Sequence, residues 1–273
     1  MKVALVTEVF PGAGGAERLR RAVREARGAG AELVVLPELA LDPWFPATRH
    51  AAAADAEPPN GPRHRLLATL AREEGIGILG GAVVVEPGTG RRFSTALVLD
   101  AAGGVAASYR KVHLPDEEGF RETSHYEPGD DPPEVIDAFA APIGVQLCSD
   151  VNRPEGSHVL GALGAEAILA PRCTPSRTYE RWRLVLRANA VTSCAYVLST
   201  NRPGPERGVD IGGPSLAIAP DGQVLVETTD PLTFVTVDRA AVRRARAEYP
   251  GYLAIRSDVY ARAWQAVERR ASE

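Results

Sequence analysis

Short apolar runs alternate with helical segments from the first residues onward, and that alternation confines the chain to a few layered folds. Residues 2–9 read as a buried strand, 16–27 as a helix rich in Arg, Glu and Ala, and 33–36 as a second buried strand. This is a strand-helix-strand opening. Residues 62–74 are expected to be helical and 76–85 extended, while 94–99 and 105–109 form a hairpin across Ala101-Ala102-Gly103-Gly104. After an irregular stretch over 115–133, the alternation resumes with a helix over 154–163, a strand over 167–169, a long helix over 179–193 and a strand over 196–200. The last part adds extended runs over 215–219, 224–227 and 234–237, the first two joined by a turn at Pro220-Asp221-Gly222. Helices on one side and hairpins within the sheets favour a layered α/β sandwich over a regular eightfold barrel. A chain of 273 residues can bury one large core, so a single domain over 1–273 is expected.

Composition narrows the class of partner. Charged residues make up 24% of the chain and the formal net charge is -4, which argues against both disorder and affinity for nucleic acid. No apolar run reaches the roughly 20 residues that cross a bilayer, and the first strand-like run is broken by Glu8 without a cleavage-site pattern. A soluble, unexported protein with no membrane partner is expected. The 3 cysteines, Cys148, Cys173 and Cys194, lack disulfide-framework spacing, which suits a reducing cytoplasm. No CxxC and no histidine pair stands at ligand spacing, so no metal is expected. The Gly-rich stretch Pro11-Gly12-Ala13-Gly14-Gly15 has neither GxGxxG nor GK[ST], so it reads as a plain turn rather than a phosphate cradle, and no organic cofactor is implied.

Three strand-like runs end in chemically distinct side chains. Glu38 follows Leu33-Val34-Val35-Leu36-Pro37, Lys111 follows the run ending at Tyr109, and Cys148 follows Ile143-Gly144-Val145-Gln146-Leu147. A cysteine attacks as its thiolate and needs a base or a positive neighbour. Glu38 can take the thiol proton and later activate water, while Lys111 can stabilise a developing oxyanion. Cys173 and Cys194 lack such a context and are expected to pack.

In these contexts the chain resembles the nitrilase superfamily of carbon-nitrogen hydrolases, whose members use a Glu-Lys-Cys triad. The resemblance rests on Leu36-Pro37-Glu38-Leu39, Tyr109-Arg110-Lys111-Val112-His113-Leu114-Pro115 and Gly144-Val145-Gln146-Leu147-Cys148-Ser149-Asp150 followed by Pro154-Glu155. It continues through Arg187-Ala188-Asn189-Ala190, Asn201-Arg202 and Gly212-Gly213-Pro214-Ser215. The segment with Gly119-Phe120-Arg121-Glu122 and Glu127-Pro128-Gly129-Asp130 looks like the carbamoylputrescine-amidase branch and puts Glu122 at the family's second glutamate. The resemblance implies a four-layer α-β-β-α sandwich and hydrolysis of a small amide or ureido compound through a Cys148 thioester. It also implies a homodimer or larger homo-oligomer, with a nitrile as the alternative substrate and a non-catalytic protein of the same fold as the alternative from another class. Ser149 stands where many members carry an aromatic residue; its backbone N–H remains available as a second oxyanion donor.

Other candidates surround the triad. Trp44 either walls the substrate pocket or plugs the core edge. Arg153, Arg172 and Arg177 can each clamp a carboxylate, and Arg172 is the best placed, at the end of Ala167-Ile168-Leu169-Ala170-Pro171. His113 reads as a structural residue. The acidic loop over 116–131 suits a cationic substrate and Arg172 an anionic one, which leaves the substrate's charge open.

Overall fold

Side chains that alternate between two apolar clusters along the first strand set the layers. The computed structural model describes residues 1–271. In β1 (Lys2–Val6) Val3 and Leu5 enter one apolar cluster and Ala4 and Val6 another, the alternation that a strand imposes on its side chains. The chain continues through α1 (Gly15–Gly28), β2 (Leu33–Val35), β3 (Ala56–Glu57), α2 (Pro62–Glu74), β4 (Gly77–Val85), β5 (Arg92–Leu99) and β6 (Val105–Arg110). A small hairpin, β7 (Asp116–Glu117) and β8 (Phe120–Arg121), precedes β9 (Ile143–Val145), α3 (Pro154–Ala162), β10 (Ala167–Leu169), α4 (Tyr179–Ser193) and β11 (Tyr196–Ser199). Strands β12 (Ser215–Ile218), β13 (Val224–Thr228) and β14 (Leu232–Thr236) and helices α5 (Arg239–Ala247) and α6 (Ser257–Ala271) complete it.

Two sheets result. The first runs β14-β1-β2-β4-β5-β6 with β3 beside β4, and the second runs β13-β12-β11-β10-β9. Strands β1, β2 and β4 are parallel, as are β9, β10 and β11, and antiparallel hairpins extend both sheets. The inner faces meet in one cluster that joins Leu5, Leu33, Leu79 and Val98 to Ile143, Val145, Leu169 and Leu198. Leu19, Val23, Leu67 and Leu70 cover the outer face of the first sheet, and Leu160, Leu186 and Ala190 that of the second. The order is therefore α-β-β-α, because parallel strands buried on both faces require a helical layer outside each sheet.

Several boundaries differ from the sequence reading. The first strand stops at Val6, since Thr7 N–H turns to Pro231 O at 2.9 Å. The last strand pairs with β1, Lys2 opposite Thr236, so it crosses back to the first sheet after the β12-β13 hairpin. Helices α5 and α6 have no counterpart in that reading. The Gly-rich stretch is a turn into α1: Gly14 sits at φ 78, and a Cβ on Gly15 would lie 2.0 Å from Phe10 O, so only glycine fits there.

Candidate active site

The parallel strands aim their carboxyl ends at one place, which is where open α/β sheets gather chemistry. Glu38 and Cys148 each follow a parallel strand, β2 and β9, and Lys111 follows β6 directly. Lys111 Nζ donates to Glu38 Oε1 at 2.8 Å and to Glu122 Oε1 and Oε2 at 2.8 and 2.6 Å. Lys111 and Glu122 are fully buried, and Glu38 and Cys148 are only 2% and 4% exposed. The four side chains expected to react are thus together. Glu38 Oε2 is buried without a hydrogen-bond partner, which leaves its lone pairs open for a proton.

Electrostatics fixes the resting protonation. Burial pushes the Cys148 thiol well above its ordinary value, the Glu38 charge pushes the same way, and Lys111 opposes both. Cys148 is therefore held as a thiol at neutral pH, and a base would have to take its proton before it could act as a thiolate. Burial works against the Lys111 charge, but Glu122 and Glu38 outweigh it and hold the ammonium well above the usual lysine range. Burial raises the Glu122 carboxyl to about 7, against the pull of Lys111 and with the help of Glu38. One cation between two buried carboxylates cannot satisfy both fully.

Backbone strain lies within this cluster and beside it. Cys148 and Leu39 both sit at φ 47, a left-handed conformation that costs a branched or bulky residue about 1–3 kcal/mol. The surroundings hold it. Cys148 N–H donates to Pro171 O at 2.9 Å, and the thiol lies 3.5 Å from Cys173 O. Arg202, fully buried, donates to Glu38 O at 3.0 Å, Leu39 O at 2.8 Å and Asp42 O at 2.9 Å, and pairs with Glu206 at 2.6 Å.

Asp150 ties the lysine loop to the cysteine loop. Its Oδ1 accepts from Val112 N, His113 N and His113 Nδ1, and its Oδ2 from Tyr109 Oη at 2.9 Å and Leu147 N at 3.3 Å. His113 is structural in this sense, as expected. Asn189 Nδ2 donates to Val151 O at 2.8 Å, so α4 secures the far end of the cysteine turn. Asn201 receives Thr174 N–H and donates to Gly212 O and Gly213 O, which explains the motif residues of the C-terminal half. Sequence reasoning quoted Asp150, Asn189, Asn201 and Arg202 without giving them work; their partners lie far off in the chain.

The remaining candidates separate. Trp44 is fully buried in a cluster with Phe120, Tyr126, Cys173 and Ile211, and its Nε1–H donates to Gly119 O at 2.9 Å. Ser149 turns its hydroxyl to His113 O and lies second in the 3₁₀ turn Cys148–Asn152, where backbone N–H groups lack helical partners. Arg172 is buried, with Nε on Ser199 Oγ, one terminal nitrogen on Thr174 Oγ1 and the other on Pro214 O. Burial lowers its pKa to about 10, and every guanidinium nitrogen already holds a protein acceptor, which makes it a brace between strand ends. Arg153 and Arg177 are exposed. In the acidic loop Asp116 pairs with Arg49 and Arg121, and Glu127 with Arg91, at the surface; Glu122 instead turns inward to Lys111. Tyr126, beside Glu122, was not anticipated at all. Cys173 packs beside Cys148, and Cys194 caps α4 with its thiol toward Val191 O and Ala245 O.

Comparison with known proteins agrees with this fold. Over 280 aligned residues the chain is 26% identical to the N-carbamoylputrescine amidase of Arabidopsis thaliana, an alignment covering 95% of this chain and 92% of the relative. A nitrilase of Pyrococcus abyssi is 31% identical over 242 residues, with 84% and 85% covered. The amidase of Nesterenkonia sp. AN1, in a structure showing covalent addition of the acetamide moiety of fluoroacetamide at its active site cysteine, superposes with TM-score 0.78 at 26% identity over 97% of both chains. The sequence model of the carbon-nitrogen hydrolase family matches residues 12–247, a stretch that holds Glu38, Lys111, Glu122 and Cys148, and the chain belongs to that family.

Proposed function

We propose that this enzyme hydrolyses a small, uncharged amide or N-carbamoyl compound through a thioester on Cys148, releasing ammonia. The carrying observation is a buried, protonated thiol in one centre with a carboxylate whose free oxygen has no partner. Cys148 Sγ attacks the carbonyl carbon while its proton passes to Glu38, and Lys111 Nζ with the Ser149 N–H holds the oxyanion. The carbon-nitrogen bond then breaks, Glu38 returns the proton to nitrogen, and ammonia leaves. Water next adds to the thioester, giving its proton to Glu38. The acid departs as the sulfur is released and reprotonated. An uncharged substrate is favoured because Arg172 is spoken for and the acidic loop faces outward. Trp44 and its aromatic neighbours form the wall that keeps the substrate small.

A nitrile is the second reading, favoured by the Pyrococcus abyssi relative's name; it gives a thioimidate before the same thioester. Mass spectrometry of wild type and Cys148→Ala after exposure to amides, ureido compounds and nitriles decides between them. The expected result is an acyl adduct on Cys148 of wild type only, with ammonia released from amides; a response to nitriles alone would sink the amidase reading. The proposal extends to setting and assembly. Three free, buried cysteines suit the reducing cytoplasm, and no described helix is long and apolar enough to cross a membrane. The exposed apolar C-terminal segment suits a second copy of the chain.

A further inference from the structure

Lys111 has three N–H bonds and three carboxylate contacts, one on Glu38 and two on Glu122. An ammonium saturated in this way has no proton left for an oxyanion. If amide hydrolysis proceeds as proposed above, on which this inference rests, one contact must be released as the tetrahedral intermediate forms. The Glu38 contact orients the base, so a Glu122 contact is the one to go. That release uncovers an oxygen of a fully buried carboxylate, which is unfavourable unless another donor takes it.

A donor stands ready. Tyr126 is 3% exposed, and its hydroxyl is buried with no hydrogen-bond partner, although a buried tyrosine hydroxyl ordinarily finds one. Its backbone N–H donates to Glu122 O at 3.1 Å, closing the turn that Glu122 begins, and the hydroxyl lies close enough to the Glu122 carboxyl to lower its pKa while its geometry stops short of a full hydrogen bond. Burial and then the charges of Glu122 and Glu38 raise its pKa, so it remains a hydroxyl and can donate. We infer that Tyr126 is a positioning residue whose hydroxyl takes over the Glu122 oxygen released when Lys111 turns to the oxyanion. The exchange keeps Glu122 ionised and Lys111 charged while the ammonium changes partner.

The test is Tyr126→Phe, which removes the hydroxyl and keeps the ring, read by ammonia release and by the pH dependence of Cys148 alkylation with iodoacetamide, which needs no turnover. The variant is expected to lose about tenfold in kcat with little change in KM, the size of one hydrogen bond to a charged group. The hydroxyl already lowers the Glu122 pKa from where it stands, so its removal should move the acid limb of both profiles to higher pH. In a Glu122→Gln background the same change should have little effect. Wild-type kcat and unshifted profiles in Tyr126→Phe, or an undiminished effect in the double variant, would overturn the inference. A wild type that is alkylated yet hydrolyses no amide or ureido compound would instead defeat the hydrolase reading, and the alkylation profiles would still decide on Tyr126.

Discussion

A carboxyl that titrates near neutrality is the residue-scale feature with the clearest solution signature. Glu122 is raised from 4.5 to about 7 by burial, so the folded state holds its proton where the unfolded chain has lost it. The stabilisation from that proton is complete below 4.5 and is lost as pH rises through about 7. Glu122→Gln should therefore flatten the stability of the enzyme across this window, as denaturant melts at several pH values would show. It should also lower kcat by about 10–100-fold, the usual worth of a buried hydrogen bond to a charged group, because Lys111 loses its ionised partner, and erase the acid limb of the rate profile. An acid limb that survives in the variant belongs to another group and refutes the assignment. Glu38, Lys111, Cys148 and Glu122 were legible because each stands in a short local motif. Tyr126 was not, because its meaning is a missing hydrogen bond, which no sequence displays.

Between residues and the whole lie the loops that follow the strands. Two of them, after β6 and after β9, are joined through one carboxylate, Asp150, which accepts five hydrogen bonds from both sides. Asp150→Asn keeps the shape but turns one acceptor into a donor that faces donors. We expect a loss of about 3 kcal/mol in stability, since buried charged hydrogen bonds are replaced by unsatisfied groups. Activity should also fall at temperatures where the variant remains folded, because Lys111 and Cys148 lose their common anchor. Thermal melts alongside ammonia release measure both; an active variant of wild-type stability would show that the two loops hold their places independently. The strands themselves were easier to read than these ties. Runs such as β10 are apolar throughout, as buried parallel strands tend to be, β11 is so up to Ser199, and α2 is marked by Pro62 at its start and Gly75 after its end. The position of β14 was hidden because its residues pattern equally well as the next strand of a meander; only the match to the edge of β1 decides it.

At the scale of the whole molecule, one segment is out of keeping with the rest. Beyond the family-matched residues 12–247, Tyr249, Tyr252, Leu253 and Ile255 are exposed, and α6 follows with Tyr260 at 66%, Trp264 at 51% and Val267 at 53% exposure. Tyr260 and Trp264 stand one helical turn apart, as do Val259, Ala263 and Val267, so the apolar residues share a stripe. A helix of 15 residues is marginal in water on its own and draws its stability from packing that stripe. The proposed second copy of the chain would supply such packing symmetrically, as subunits of most soluble assemblies do. Removal of residues 249–273 should therefore lower the mass of the assembly in sedimentation equilibrium while leaving the melting temperature of the sandwich nearly unchanged, since among the described residues α6 contributes nothing to its apolar clusters. Trp264→Glu in the full chain should weaken association in the same direction. An assembly of unchanged mass in both variants would mean that the copies meet elsewhere.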